Sequence, residues 1–204
     1  MRALVLSAGK ATRLEGQCKA LVKVRGRRVL DWQLVGLAGY STALVVSEPH
    51  EDVPIQQRVV PREHRGPGGA LAWSVNPDWT GPLLVVYGDT LWAPQPLPEG
   101  DWIGVAKPPR LDRNWDVATE RTVVYRRARA REQVCVGLYQ FADAGRLRTA
   151  IDLACSEVPR TAEVGMADIL RRYPVRPARV PIEGWTDVGD VAALDAANHQ
   201  GVPA

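Results

Sequence analysis

The sequence predicts an α/β fold: a doubly wound, mixed but mostly parallel sheet flanked by helices. Three observations predict it. ALVLS (3–7), ALVVS (43–47) and LLVVY (83–87) are short, almost wholly apolar runs, as strands covered on both faces require. Between them lie RVLDWQLVGLA (28–38), with apolar residues at helical spacing and Gly39 as a stop, and GPGGALAWSVN (66–76), a glycine-rich lead into a helix. With a short strand near 58–60, the order is strand, helix, strand, strand, helix, strand, the alternation of an α/β sheet.

After Asp89 the texture changes. Residues 91–102 hold several prolines and two tryptophans. WIGVA (102–106), TVVYR (122–126) and QVCVGLYQF (133–141) read as strands, the last two as a pair or meander, which gives the second half a small β-rich part. Helices are expected over 143–155 and 163–172. VRPARVPI (175–182) reads as an edge strand because of its prolines, and DVAALDAANHQ (190–200) as a short amphipathic helix. No linker, repeat or low-complexity tract interrupts the chain, so residues 1–204 read as a single domain.

Composition excludes several classes. A 46% hydrophobic fraction over 204 residues supports a real core, and a net charge of +3 does not argue for nucleic acid. The lysines and arginines between Lys107 and Arg131 are accompanied only by Trp115 and Tyr125, too few aromatics for a single-strand platform. No apolar run approaches the roughly 20 residues of a membrane span, and the opening run is too short for a signal peptide. The expectation is a cytoplasmic protein. Cys18, Cys135 and Cys155 are far apart, and His50, His64 and His199 have no second ligand at useful spacing, so neither a disulfide set nor a zinc site is expected.

The first strand runs into SAGKATRLEGQCK, residues 7–19. Ala8, Gly9 and Ala11 are small, so backbone can approach a ligand closely and leave N–H groups open to an anion. Arg13 adds a planar fork suited to phosphate oxygens, and Lys19 a compact charge. A dinucleotide loop is excluded by the missing glycines, and a P-loop by the absence of Gly-Lys-Ser/Thr. The alternative is a turn with solvated basic groups.

Two aspartates stand at ends of strands. Asp89 closes LLVVYGD, where ligands bind in open α/β sheets; a turn or helix cap is the alternative. Asp187, in EGWTDVGDV, precedes the last helix, whose cap is better supplied by Asp190. Two carboxylates converging from distant strands would suit Mg²⁺, which takes one or two carboxylates with water and phosphate oxygens.

These segments resemble the sugar-1-phosphate nucleotidylyltransferases, whose fold is Rossmann-like. LSAGKATRL followed by CKALVKVRGRRVL is similar to the family's opening signature, YGDT (87–90) to its Gly-Asp turn, and WTDVG (185–189) to its late Trp-x-Asp-x-Gly. VGLYQF (136–141) and RTAEVGMADIL (160–170) resemble the strand and acidic segment that meet the sugar, and GPGGA (66–70), more loosely, the turn beside the base. The resemblance implies nucleotide contacts at Ser7, Ala8, Gly9, Ala11, Arg13, Lys19, Gly69 and Ala70. It implies acceptor contacts at Gly137 and Glu163, with Asp168 matching the later acid. It implies Mg²⁺ on Asp89 and Asp187, and catalysis by Arg13, Lys19 and the two aspartates. Residues 1–100 would then serve mainly the nucleotide and 101–204 mainly the acceptor. The implied reaction moves NMP from an NTP to a sugar 1-phosphate, in a monomer or homodimer that binds neither nucleic acid nor membrane.

Four departures stand out: Ser7 for alanine, Ala11 for glycine, Cys18 for the proline before the lysine, and Arg28 for the proline after Gly26. They motivate a noncatalytic nucleotide-binding module as one alternative. A transferase acting on phosphocholine or a polyol phosphate is another; for phosphocholine, Tyr139 and Trp185 are the aromatic residues that could cage its quaternary ammonium.

Overall fold

A computed structural model describes residues 1–9, 12–64, 66–120 and 122–200. In chain order the elements are β1 (Arg2–Leu6), β2 (Lys23–Val24), β3 (Arg27–Arg28), α1 (Val29–Gly36), β4 (Ser41–Val46), β5 (Gln56–Val59), α2 (Gly66–Ser74), β6 (Leu83–Tyr87) and β7 (Thr90–Leu91). They continue with β8 (Trp102–Ala106), β9 (Asn114–Ala118), β10 (Val123–Arg127), β11 (Gln133–Phe141), α3 (Ala144–Glu157), α4 (Met166–Arg172), β12 (Ala178–Pro181), β13 (Thr186–Asp187) and α5 (Val191–Gln200). Short 3₁₀ turns occupy Thr12–Leu14 and Lys19–Leu21.

The apolar runs do form the centre of the sheet. β1 pairs in parallel with β4 on one side and β6 on the other, and β5 continues the parallel part beyond β4. Beyond β6 the sheet turns antiparallel through β11, which also pairs with β8 and β9; β10 and β12 close the two branches. Alternation along each strand explains the helices on both faces. Leu4, Leu6, Val45 and Val85 pack in one cluster with residues of α2, α3 and α4. Ala3, Val5, Leu44 and Val86 pack in another with Leu30 of α1 and with Trp92 and Trp102. Fully burying each such aliphatic side chain is worth about 1.5–3 kcal/mol, which is why the double covering fixes the register of the central strands.

The structure adds elements that the sequence patterns did not predict. β2 and β3 form a two-residue hairpin across Arg25 and Gly26, whose φ values of 51° and 77° are those of the tight turn matched to strand twist. Arg28 then grips Asp31 in the first turn of α1 through two hydrogen bonds of 2.9 Å. β9 lies within the charged stretch 107–131 and forms a hairpin with β10. The helix expected over 163–172 begins only at Met166, because Asp168 accepts a hydrogen bond from the Gly165 N–H at 2.9 Å and caps it there.

One glycine of β11 is fixed by the core itself. Gly137 has φ +80°, and a Cβ there would lie 2.6 Å from Thr90 Oγ1 and 2.8 Å from Tyr87 Cβ. The register of β11 against β8 shifts between Cys135 and Tyr139 around it, as at a bulge. Gly137→Ala is therefore expected to lower unfolding free energy by at least about 2 kcal/mol, combining backbone strain with overpacking. Urea denaturation of the variant checks this.

Candidate active site

The site starts from one register. Leu6 of β1 lies opposite Tyr87 of β6, so the turns that leave these parallel strands emerge side by side. Gly88 makes that possible: a Cβ there would sit 2.9 Å from both the Leu6 carbonyl oxygen and Ser7 Oγ. Ser7 is buried, and its hydroxyl accepts from the Ala20 N–H at 3.0 Å and lies 3.1 Å from Cys18 Sγ. It thereby clamps the Lys19 turn to the end of β1, with its side chain spent on that clamp. The two departures at 7 and 18 thus touch each other. Lys19, so held, forms an ion pair with Asp89.

Asp187 reaches the same place from the far end of the chain. β13 pairs with β7, setting Asp187 opposite Thr90, and the Val188 N–H donates to the Asp89 carbonyl at 2.9 Å. A Cβ on Gly189 would lie 2.9 Å from Asp89 Oδ2 and 3.1 Å from Asp187 Oδ1. The two carboxylates therefore flank one point that only a glycine leaves open. Arg113, from the loop before β9, forms an ion pair with Asp187 and reaches Asp190 at 3.2 Å while lying 3.9 Å from the ring centre of Trp115. Burial and then the Asp89 carboxylate push Asp187 above the usual carboxylate range, against the opposing pull of Arg113 and Lys19. Asp190 also caps α5, accepting from the Ala193 N–H at 2.8 Å.

Two cavities meet at this point. The first, about 320 Å³, is lined by Ala8, Gly9, Arg13, Lys19, Ala70, Asp89 and Glu163 among others. The second, about 160 Å³, is lined by Gly137, Tyr139, Trp185, Arg113, Asp116 and Asp187 among others; Arg13, Tyr87, Asp89 and Gly189 border both. The sequence-derived residues are thus largely gathered here, with differences. Gly69 is buried within α2 rather than on the first cavity's wall. Glu163 stands beside Gly66 at the start of α2, on the first cavity, whereas Gly137 lines the second. Ala11 lies outside the described residues.

Asp89 and Asp187 offer hard oxygen donors aimed at one point. Among the described residues no group of three or more histidine, cysteine or acidic side chains converges as a fuller metal cage would. A two-carboxylate set is the kind that leaves most positions of an ion to water and ligand oxygens.

Comparison with known proteins bears on the fold that carries this site. Residues 3–100 match the MobA-like NTP transferase domain family. The matched segment, just under half of the chain, runs from β1 past Asp89. The chain's fold is that of nucleotidyltransferase enzymes. A candidate glucose-1-phosphate thymidylyltransferase from Bacillus anthracis superposes with a TM-score of 0.74 at 16% identity, covering 98% of this chain and 94% of that one. The apo UDP-glucose pyrophosphorylase gives 0.73 at 12% identity, covering 98% and 97%. The inositol-1-phosphate CTP transferase of T. maritima gives 0.68 at 16% identity, covering 100% and 98%. At these identities the likeness is one of fold. No curated protein matches the sequence.

Sequence reasoning missed Arg113 and Asp116. Arg113 sits 74 residues from the aspartate it pairs with, so no local pattern marks it. Asp116 follows Trp115 in a strand that was itself not predicted. Burial, with a smaller push from Asp168, raises the Asp116 carboxyl from 3.8 to about 6. An acid raised in the folded state costs nothing below the unfolded value, where both states are protonated. The cost grows as pH rises from 3.8 toward 6 and is complete above that, at up to roughly 3 kcal/mol. Asp116→Asn is accordingly expected to stabilise the ligand-free protein at pH 7–8 by about 1–3 kcal/mol and to have no such effect below pH 4. Denaturation curves across that range measure it.

Proposed function

We propose that the protein is a Mg²⁺-dependent nucleotidylyltransferase that moves NMP from an NTP to a sugar 1-phosphate, releasing pyrophosphate and forming an NDP-sugar. The observation that carries this reading is the meeting of two cavities at a pair of carboxylates, Asp89 and Asp187, with Arg13 on the border of both. One cavity can then hold the triphosphate and the other the acceptor, with the reacting phosphorus between them.

The chemistry asks little of the protein beyond placement. An acceptor phosphate oxygen is already anionic, so it attacks the α-phosphorus without a general base. The new P–O bond forms in line as the bond to the β-phosphate oxygen breaks, and the electron pair leaves on pyrophosphate. Positioning and charge stabilisation supply the rate. Asp89 and Asp187 would hold Mg²⁺, whose contribution is to neutralise charge on the transferring and leaving phosphates. Lys19 and Arg113, which pair with those carboxylates, would then turn their charge toward phosphate oxygens. Arg13 would bind the β- and γ-phosphates, and the small residues Ala8 and Gly9 would let the nucleotide lie against backbone.

A polyol phosphate is the second acceptor reading. Its motive is the full-length likeness to the inositol-1-phosphate CTP transferase, whose acceptor also carries its phosphate on a hydroxylated ring.

Asp89→Asn and Asp187→Asn are each expected to fold and to lower kcat by at least about 10²-fold, the scale of losing one electrostatic stabiliser. Pyrophosphate release, measured over the common NTPs against a panel of sugar and polyol phosphates with Mg²⁺, checks both the reaction and the variants. Turnover near wild type in either variant, or no release with any pair of substrates, would contradict the reading.

A further inference from the structure

The second cavity contains a carboxylate with no partner among the described residues. Asp116 lies on β9 directly across the ladder from Tyr125 of β10, and both border the cavity with Gly137, Trp185 and Asp187. Four other acids near this cavity are engaged. Asp89 pairs with Lys19, and Asp187 with Arg113. Asp190 pairs with Arg110 and Arg113, and Asp168 binds the Gly165 N–H and Arg171. Asp116, half-buried, has no hydrogen bond or ion pair among the described residues. Burying an acid with nothing to donate to it is unfavourable, and retained unfavourable groups in a cavity point to a bound donor.

The donor's chemistry follows from the walls. A quaternary ammonium would look for several open aromatic faces forming a cage, and of the aromatic residues on this cavity Tyr125 is the exposed one. Arg113 already covers Trp115, Trp185 packs edge-on against Trp115 with ring centres 5.6 Å apart, and Tyr139 is 1% exposed with its ring against Tyr87. A neutral hydroxyl needs no such cage and supplies the missing hydrogen.

We propose that Asp116 is the specificity-determining residue of the acceptor cavity, accepting a hydrogen bond from a ring hydroxyl of a sugar or polyol phosphate whose phosphate end lies at the Asp89–Asp187 pair. This rests on the second cavity being the acceptor side of the nucleotidylyl transfer, and it names the acceptor class: hydroxylated rather than cationic.

The test measures acceptor binding apart from turnover. Glucose 1-phosphate, myo-inositol 1-phosphate, phosphocholine and methyl phosphate are titrated calorimetrically into the wild type, Asp116→Asn and Asp116→Ala, with Mg²⁺ and a nonhydrolysable NTP analogue present. Thermal melts confirm that both variants are folded. The expected result is that the wild type binds at least one of the two hydroxylated phosphates more tightly than methyl phosphate. Both variants should lose at least tenfold in that affinity, while the affinity for methyl phosphate and for the NTP analogue stays within twofold. Equal binding of the hydroxylated phosphates by wild type and variants, no binding of either by the wild type, or tightest binding of phosphocholine would each overturn the proposal. Pyrophosphate release is read separately, so hydroxyl-dependent binding without turnover would leave Asp116's role standing and instead count against the transfer reaction.

Discussion

Two negative charges held on either side of one glycine are the constraint around which this protein is built. Like charges at about 4 Å repel by roughly 4 kcal/mol at the effective dielectric of a protein surface, so the placement of Asp89 and Asp187 needs support from the surrounding structure. Part of the support is backbone pairing: the parallel ladder of β1 with β6 delivers Asp89, and the short β7–β13 bridge delivers Asp187. The rest is charge. Lys19 and Arg113 each neutralise one carboxylate, and each is held by its neighbours. Ser7 and Cys18 fix the Lys19 turn, and Trp115 supports the Arg113 guanidinium.

This accounts for departures from the family's opening signature. Serine at 7 and cysteine at 18 form one contact, so the two changes are a single local substitution of a polar clamp for whatever packing alanine and proline would provide. Arg28, in place of a proline, holds Asp31 at the start of α1 and keeps the hairpin β2–β3 in register with that helix. None of these three positions removes a charge or a small residue from the cavity wall.

The central strands were legible because burial on both faces leaves nothing but apolar residues at 3–6, 43–46 and 83–86, a pattern that survives any detail of topology. Asp89 and Asp187 were legible as strand-end acids, and their family resemblance joined them. What joins them physically is a ladder of two residues on each side, too short to leave a period in the sequence. β9 escaped because NWDVA carries a charge and a polar residue in five positions within a basic segment. Arg113 and Asp116 escaped with it, since their meaning comes from contacts made across the fold rather than from neighbours in the chain. Glu163 and Gly137 line different but adjoining cavities, since Asp168 capping α4 leaves Glu163 ahead of the helix.

The central claim is that Asp89 and Asp187 form one metal-dependent centre whose resting counter-ions are Lys19 and Arg113. Its most direct test is anomalous diffraction from crystals grown with Mn²⁺, a heavier stand-in for Mg²⁺, and a nonhydrolysable NTP analogue. The account predicts an anomalous peak bridging the two carboxylates beside Gly189, with Arg113 moved off Asp187 and toward phosphate oxygens. A metal site that excludes Asp187, or an Arg113–Asp187 pair that persists with nucleotide and metal both bound, would contradict it.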